Sequence, residues 1–245
     1  MTVTRRAGVT LLELLLAVSL LSLLSGGILT ALHVGVNAMG KANARLMDNR
    51  RLSGVQRILE QQIAGFMPVV ALCAPPGDRP SESLPFFQGE PQSMRFVSTY
   101  SLSDGWRGYP QILEYQVIPG DRGEGVRLVV NEHLYTGPLG AGAFCLGTAE
   151  SMEIGVRVPV FRPIQAGASS FVLADRLAFC RFAFRQTLPL PARERWVDQW
   201  ILPQWPSAVR IEMEPLAADA VRIPTLSITA PIHVIAEPRM QYAGY

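Results

Sequence analysis

Charge is scarce in this chain. Only 17% of its 245 residues are Asp, Glu, Lys or Arg, and they nearly cancel, leaving a formal net charge of +2. So even a balance gives no electrostatic case for a nucleic-acid partner. Cysteine is scarcer still, at Cys73, Cys145 and Cys180. No Cys-x-x-Cys occurs, so the zinc and dithiol-redox readings have nothing to rest on. The histidines are His33, His133 and His233. A metal site would need them to converge, yet His33 ends an apolar run and the others fall in predicted strands. Asp104, Asp121, Glu124 and Asp198 fall in predicted turns and lack the dense oxygen-ligand spacing of a calcium loop. There is no Gly-x-Ser-x-Gly elbow, no internal repeat and no low-complexity tract. These absences point away from an enzyme, and no metal or cofactor is expected.

Two further absences are local. No proline lies between Val9 and Phe66, and no Asp, Glu, Lys or Arg between Leu14 and Gly40. The apolar run from Gly8 to Leu32 carries one charge, Glu13, and is preceded by Arg5 and Arg6. It exceeds the roughly 20 residues that cross a bilayer as a helix. Arginines before the run and none soon after place the N-terminus in the cytoplasm and the rest of the chain beyond the membrane. An ionised Glu within a spanning helix costs on the order of 2.5–3.5 kcal/mol by insertion scales, so Glu13 needs a partner or water. Three readings meet that need. Glu13 stays wet at the interface of an ordinary anchor. Or the run is a secretory signal ending near Ser25-Gly26-Gly27, although such cores are about 7–15 residues long. Or Glu13 has a purpose in assembly.

The third reading rests on Arg5-Arg6-Ala7-Gly8 followed by Val9-Thr10-Leu11-Leu12-Glu13-Leu14-Leu15. This stretch resembles the class III signal of type IV pilins and pseudopilins. The resemblance implies cleavage after Gly8 by a membrane aspartyl prepilin peptidase and methylation of the new N-terminus at Val9, where the family usually has Phe. Glu13 then takes the place of the family's glutamate at the fifth mature position. The implied organisation is a leader over 1–8, a membrane half of the helix over 9–34 and a periplasmic domain over 35–245. Cleavage leaves an amine on Val9, one helical turn before Glu13. In low dielectric, a pairing of that amine with the carboxylate of a stacked neighbour is favoured over two unpaired charges. Such a subunit is costly alone in lipid and relieved in a filament.

Beyond the membrane the helix is expected to continue. Leu52, Val55, Leu59, Ile63 and Phe66 recur at helical spacing between polar residues, and Pro68 supplies a stop. Val9 to Phe66 would span roughly 85 Å. Gly26-Gly27 and the Gly35–Gly40 stretch are either points of bending or sites of close packing in the membrane. From Val69 to Gln92 proline and glycine dominate, which reads as an irregular connection or a pair of short edge strands.

Strand patterns follow over Ser93–Tyr100, Gln111–Ile118, Val126–Tyr135, Ser170–Gln186, Arg193–Trp205, Ala208–Met213 and Thr225–Ala236. The second and third flank Pro119-Gly120-Asp121-Arg122-Gly123-Glu124-Gly125, a hairpin turn rather than a phosphate loop, since no helix follows. Pro231 marks the last strand as an edge or a bulge. Cys180 sits in an alternating apolar run and reads as buried. Three cysteines leave at least one without an intrachain partner; if a bridge forms, the pair is Cys73 with Cys145, both beside Gly/Pro-rich segments. Trp106, Trp196, Trp200 and Trp205 read as core or loop anchors, or as a contact surface for neighbouring subunits.

The order of these parts, with Trp196, Trp200, Leu202-Pro203 and the run Pro206–Met213, resembles the J-type minor pseudopilins of type II secretion, and more loosely the W-type minor pilins. The fold so implied is α+β and pilin-like: a long N-terminal helix, half in the membrane and half amphipathic, packed on antiparallel sheets. The implied function is structural, joining the tip of a periplasmic pseudopilus and helping to initiate its assembly. The implied partners are the I- and K-type minor pseudopilins, the major pseudopilin, the prepilin peptidase, the inner-membrane secretion platform and the membrane itself. Two other readings stay open: a minor pilin that primes a type IV pilus, and a single-pass anchored β-rich binding domain unrelated to filaments.

Overall fold

A computed structural model describes residues 10–74, 80–150, 155–187, 194–216 and 225–233. The chain divides into two units, Met1–Leu52 and Ser53–Tyr245.

One helix, α1 (Leu11–Ala64), runs through 54 residues without interruption. Leucine dominates its start and proline is missing throughout, so local preference favours the helix for its whole length. Neither glycine pair breaks it. Thr10 caps it, its Oγ1 accepting the Glu13 N–H at 3.3 Å. The helix stops at Gly65, short of the expected Phe66, and Pro68 plays no part in ending it. The cause is tertiary. The Gly65 carbonyl accepts the Thr99 N–H at 2.8 Å, and a Cβ at Gly65 would lie 2.7 Å from Ser98 Oγ. Backbone pressed this closely against a strand leaves the helix and joins the sheet.

The strands are β1 (Phe66–Met67), β2 (Val70–Cys73), β3 (Glu82–Pro85), β4 (Gln88–Glu90), β5 (Ser93–Ser101), β6 (Trp106–Pro119) and β7 (Val126–Leu134). A short helix α2 (Pro138–Gly142) leads to β8 (Cys145–Glu150) and β9 (Arg157–Phe161). Then come β10 (Phe171–Thr187), β11 (Glu194–Val197), β12 (Ala208–Pro215) and β13 (Leu226–Pro231). The main sheet has the order β1-β5-β6-β7-β10-β12-β13, with β4 on β5 and β11 on β10, and all its pairs are antiparallel. The expected hairpin is β6–β7. β10 changes partner at Leu177, which pairs with both Val126 of β7 and Pro215 of β12. A bulge marks the change, with Arg176 at φ 54°.

The alternation of β5 sends its side chains to two covered faces. Met94 and Phe96 meet Val55, Leu59 and Ile63 of α1, together with Leu113, Tyr115, Leu128, Val130, Phe182 and Ile211. Each such side chain, fully buried, contributes about 1.5–3 kcal/mol. Val97 points to the opposite face. There, with Ile112, it meets a smaller core of Ala71, Cys73, Phe86, Ala141 and Phe144. The cover over this second face is built from β2–β3, α2 and β8–β9.

Besides the end of α1, sequence patterns and structure differ in three places. Of the strand expected over Arg193–Trp205, only Glu194–Val197 forms. Beyond it the chain turns inward, Trp200 N–H donating to Gly89 O at 2.8 Å and Trp200 Nε1 to Gln204 O at 2.7 Å. On its other side Gly89 leaves room for the Phe184 ring, which a Cβ there would strike at 2.7 Å. The last strand ends at Pro231, at the end of the sheet order, and the expected continuation from 234 to 236 lies outside the described residues. Finally, α2, β8 and β9 have no counterpart in the sequence reading.

Candidate functional site

Two regions hold the residues that chemistry would use: the start of α1 and a polar cluster within the sheet domain. Gly8 and Val9 lie outside the described residues. Glu13 is the third residue of α1. Its N–H donates to Thr10 O at 3.1 Å, and its side chain is exposed. No hydrogen bond or ion pair joins its carboxylate to another described residue. A carboxylate in a first helical turn also faces the positive end of the helix dipole.

The stretch Leu11–Asn43 is long and apolar enough to cross a membrane, with a mean hydropathy of 2.2. None of it is buried within the molecule. Three of its hydroxyls are satisfied inside the helix: Ser19 Oγ donates to Leu15 O at 2.7 Å, Ser22 Oγ to Val18 O at 2.8 Å, and Thr30 Oγ1 to Gly26 O. Such internal bonding removes the cost that an unpaired hydroxyl meets in hydrocarbon.

In the sheet domain Arg95 of β5 is fully buried and Glu114 of β6 nearly so. Arg95 Nε donates to Glu114 Oε1 at 2.8 Å, Nη1 to Gln88 Oε1 at 2.6 Å and Nη2 to Arg162 O at 2.9 Å. The guanidinium lies between the rings of Phe144 and Phe161, 5.5 and 5.1 Å from their centroids. On the other carboxylate oxygen, Asn131 Nδ2 donates at 3.3 Å and His133 Nε2 sits at 3.1 Å. Burial alone would raise the Glu114 carboxyl; Arg95 and these hydrogen bonds outweigh it and hold it below the usual carboxylate range. Every arm of the cluster is occupied by protein, so it serves packing rather than an open site. On the helix side, Tyr115 OH bonds Gln62 Oε1, and burial pushes this phenol well above its usual range.

Cys73 and Cys145 are joined by a disulfide, tying β2 to β8. Cys180 is buried and free, and burial pushes its thiol up to about 12. Among the described residues no three His, Cys, Asp or Glu side chains form a metal-ligating group. His133 is engaged by Glu114, and His233 lines a shallow cleft of about 270 Å³ with Glu60, Ala64, Thr229, Ala230 and Pro231. The tryptophans divide. Trp200 is buried in the main core, Trp205 packs against it, and Trp196 stacks under Arg210 at 3.9 Å. Trp106 is exposed. The buried Arg95–Glu114 pair escaped sequence reasoning. Its only trace was a charged residue in phase with Val97 in one strand and with Ile112 in the next.

The chain matches no protein-family model and no curated protein.

Proposed function

We propose that the protein is a pilin-like minor subunit, of the J type found in type II secretion, which joins the tip of a pseudopilus and helps to start it. The observation that carries this reading is Glu13. It is an acidic side chain at the first turn of a helix whose next 27 residues, 14–40, include no Asp, Glu, Lys or Arg, and it follows the Arg5-Arg6-Ala7-Gly8 leader. A lone carboxylate there is unfavourable in hydrocarbon and becomes favourable beside the amine of a neighbouring subunit. The unbroken α1 and the antiparallel sheet packed on its last turns support a pilin-like reading of the α+β fold. The Cys73–Cys145 bridge supports a domain outside the cytoplasm, where disulfides persist. On this reading the anchor lies in the inner membrane with the sheet domain in the periplasm. The partners are the I- and K-type minor pseudopilins, the major pseudopilin, the prepilin peptidase and the secretion platform.

Mass spectrometry of the mature N-terminus tests the reading: the chain should begin at Val9. An intact leader, or a cut further on, overturns it and favours an anchored binding domain. Glu13→Leu should still be inserted and cleaved, while crosslinking to neighbouring pseudopilins in cells should fall; Glu13→Gln should lie between. Normal crosslinking of Glu13→Leu would restrict Glu13 to cleavage or to neutralising its own Val9 amine.

A further inference from the structure

The membrane half of α1 is not apolar all round. Ser19, Gly26, His33 and Gly40 repeat every seven residues, and Ser22, Thr30 and Asn37 lie beside them. At about 100° per residue these positions fall within an arc of about 80°. Every residue in that arc from Ala17 to Asn43 is polar or glycine. The three hydroxyls bond their own helix. The side chains of His33 and Asn37 are exposed and make no hydrogen bond with another described residue. A Cβ added at Gly26 or Gly40 would meet nothing within 4 Å, so nothing in the chain itself keeps those positions small.

The depth of these residues gives the seam a cost. The run Leu11–Asn43 has its midpoint at Gly27. His33 therefore lies about 9 Å from the middle of a span whose half-thickness is about 15 Å, and Asn37 lies at its edge. Facing lipid tails, the donors and acceptors of both side chains lack partners, which is unfavourable. Hydrogen bonds from Asn and His to a second helix remove that cost and help to associate helices in lipid.

We propose that two copies of this chain pair in the membrane as parallel helices in contact along this seam. Three features select a second copy. The repeat of seven keeps the seam against a partner wound with it in a left-handed pair. Arg5 and Arg6 precede the run in every copy, so all copies insert with one orientation, and His33 and Asn37 come level with their own counterparts. Both side chains are self-complementary: the amide has N–H donors and a carbonyl acceptor, and an uncharged imidazole has one N–H and one bare nitrogen. A helix of another protein would need matching polar groups at both depths. Gly26 and Gly40, about two turns to either side of His33, let the two backbones approach. Glu13 lies about 160° round α1 from His33, so the pair leaves the Glu13 face free. The inference rests on the membrane reading of α1 and not on the filament reading.

The test is oxidative crosslinking of the full chain in its own membrane, with copper phenanthroline as the oxidant. Ser19→Cys and Ser22→Cys place a thiol on the seam, and Leu24→Cys and Ala31→Cys place one on the far side of the helix. The first two should give a disulfide-linked species of twice the chain mass, at about tenfold the yield of the second two. His33→Leu with Asn37→Leu, added to Ser22→Cys, should lower that yield by about tenfold. Membrane fractions and the intact Cys73–Cys145 bond establish that each variant is inserted and folded. Glu13→Leu, added to Ser22→Cys, should leave the yield unchanged; loss of the dimer there would make the contact part of the filament and overturn an independent pair. Equal yields from both faces, an adduct with a different protein, no adduct from the seam cysteines, or a dimer indifferent to His33→Leu with Asn37→Leu would each overturn the proposal too. An uncut leader at Gly8 would count against the filament reading alone.

Discussion

Arg95 and Glu114 neutralise each other with almost no water nearby. Removing one partner from such a buried pair typically costs about 3–5 kcal/mol, because the survivor keeps its charge and loses its counter-ion. Glu114→Leu should therefore lower unfolding stability by that order in urea titration, and Arg95→Met with Glu114→Leu together should cost less than Glu114→Leu alone. The pH dependence follows from the direction of the carboxyl shift. Glu114 is held low in the folded state, so its contribution is fully present above the unfolded carboxyl value of about 4.3 and is lost as pH falls through the folded value. Acid should destabilise the wild type more steeply than Glu114→Leu; parallel acid slopes would contradict this. Ser93–Tyr100 was legible as a strand because it alternates. That Arg95 is enclosed was not legible, because an arginine in an alternating strand usually marks the wet face. The cover that encloses it is assembled from segments distant in sequence.

That cover is a matter of elements. β2, β3, β8 and β9 are short and interrupted by proline and glycine, so their period-2 signal is weak, and each small sheet has only two strands. Two-stranded ribbons are marginal by themselves. Here they are held by the apolar contacts of Phe86, Phe144 and Phe161 and by the Cys73–Cys145 bond. The bond links residues 72 apart, a separation for which chain-entropy reasoning gives about 4 kcal/mol. Cys73→Ser with Cys145→Ser, or reduction of the wild type, should lower stability by up to that amount. Limited proteolysis should then cut first between 70 and 85 or between 145 and 161. Equal protease resistance with and without reductant would mean that the apolar contacts suffice. Longer elements were far easier to read. The second half of β10 and β12 alternate, β6 and β7 are rich in Val, Ile and Leu, and the Val55-Leu59-Ile63 stripe has the helical period. Arg193–Trp205 has the apolar content of one strand, yet beyond Val197 its apolar residues serve an inward loop anchored by Trp200.

At the scale of the whole molecule, the apolar half of α1 and the sheet domain have different solvent requirements. The exposed run Leu11–Asn43 needs lipid or other helices, whereas the sheet domain has two cores of its own. A soluble fragment from residue 35 onward should fold without the membrane and give a circular dichroism spectrum of mixed helix and strand. A mainly helical spectrum, or one without a cooperative thermal transition, would contradict an independent domain.

The sequence by itself determined the apolar run, the solitary Glu13, the long helix and the main strands. These depend on residue type and on periods of 3.6 and 2, which act over neighbouring residues. Tertiary structure decided where α1 ends, which face of β5 is dry, how the second face is covered and which tryptophan stands exposed. Each of these depends on the register and close packing of strands far apart in the chain. A local pattern carries no information about which distant backbone will lie a few ångströms away.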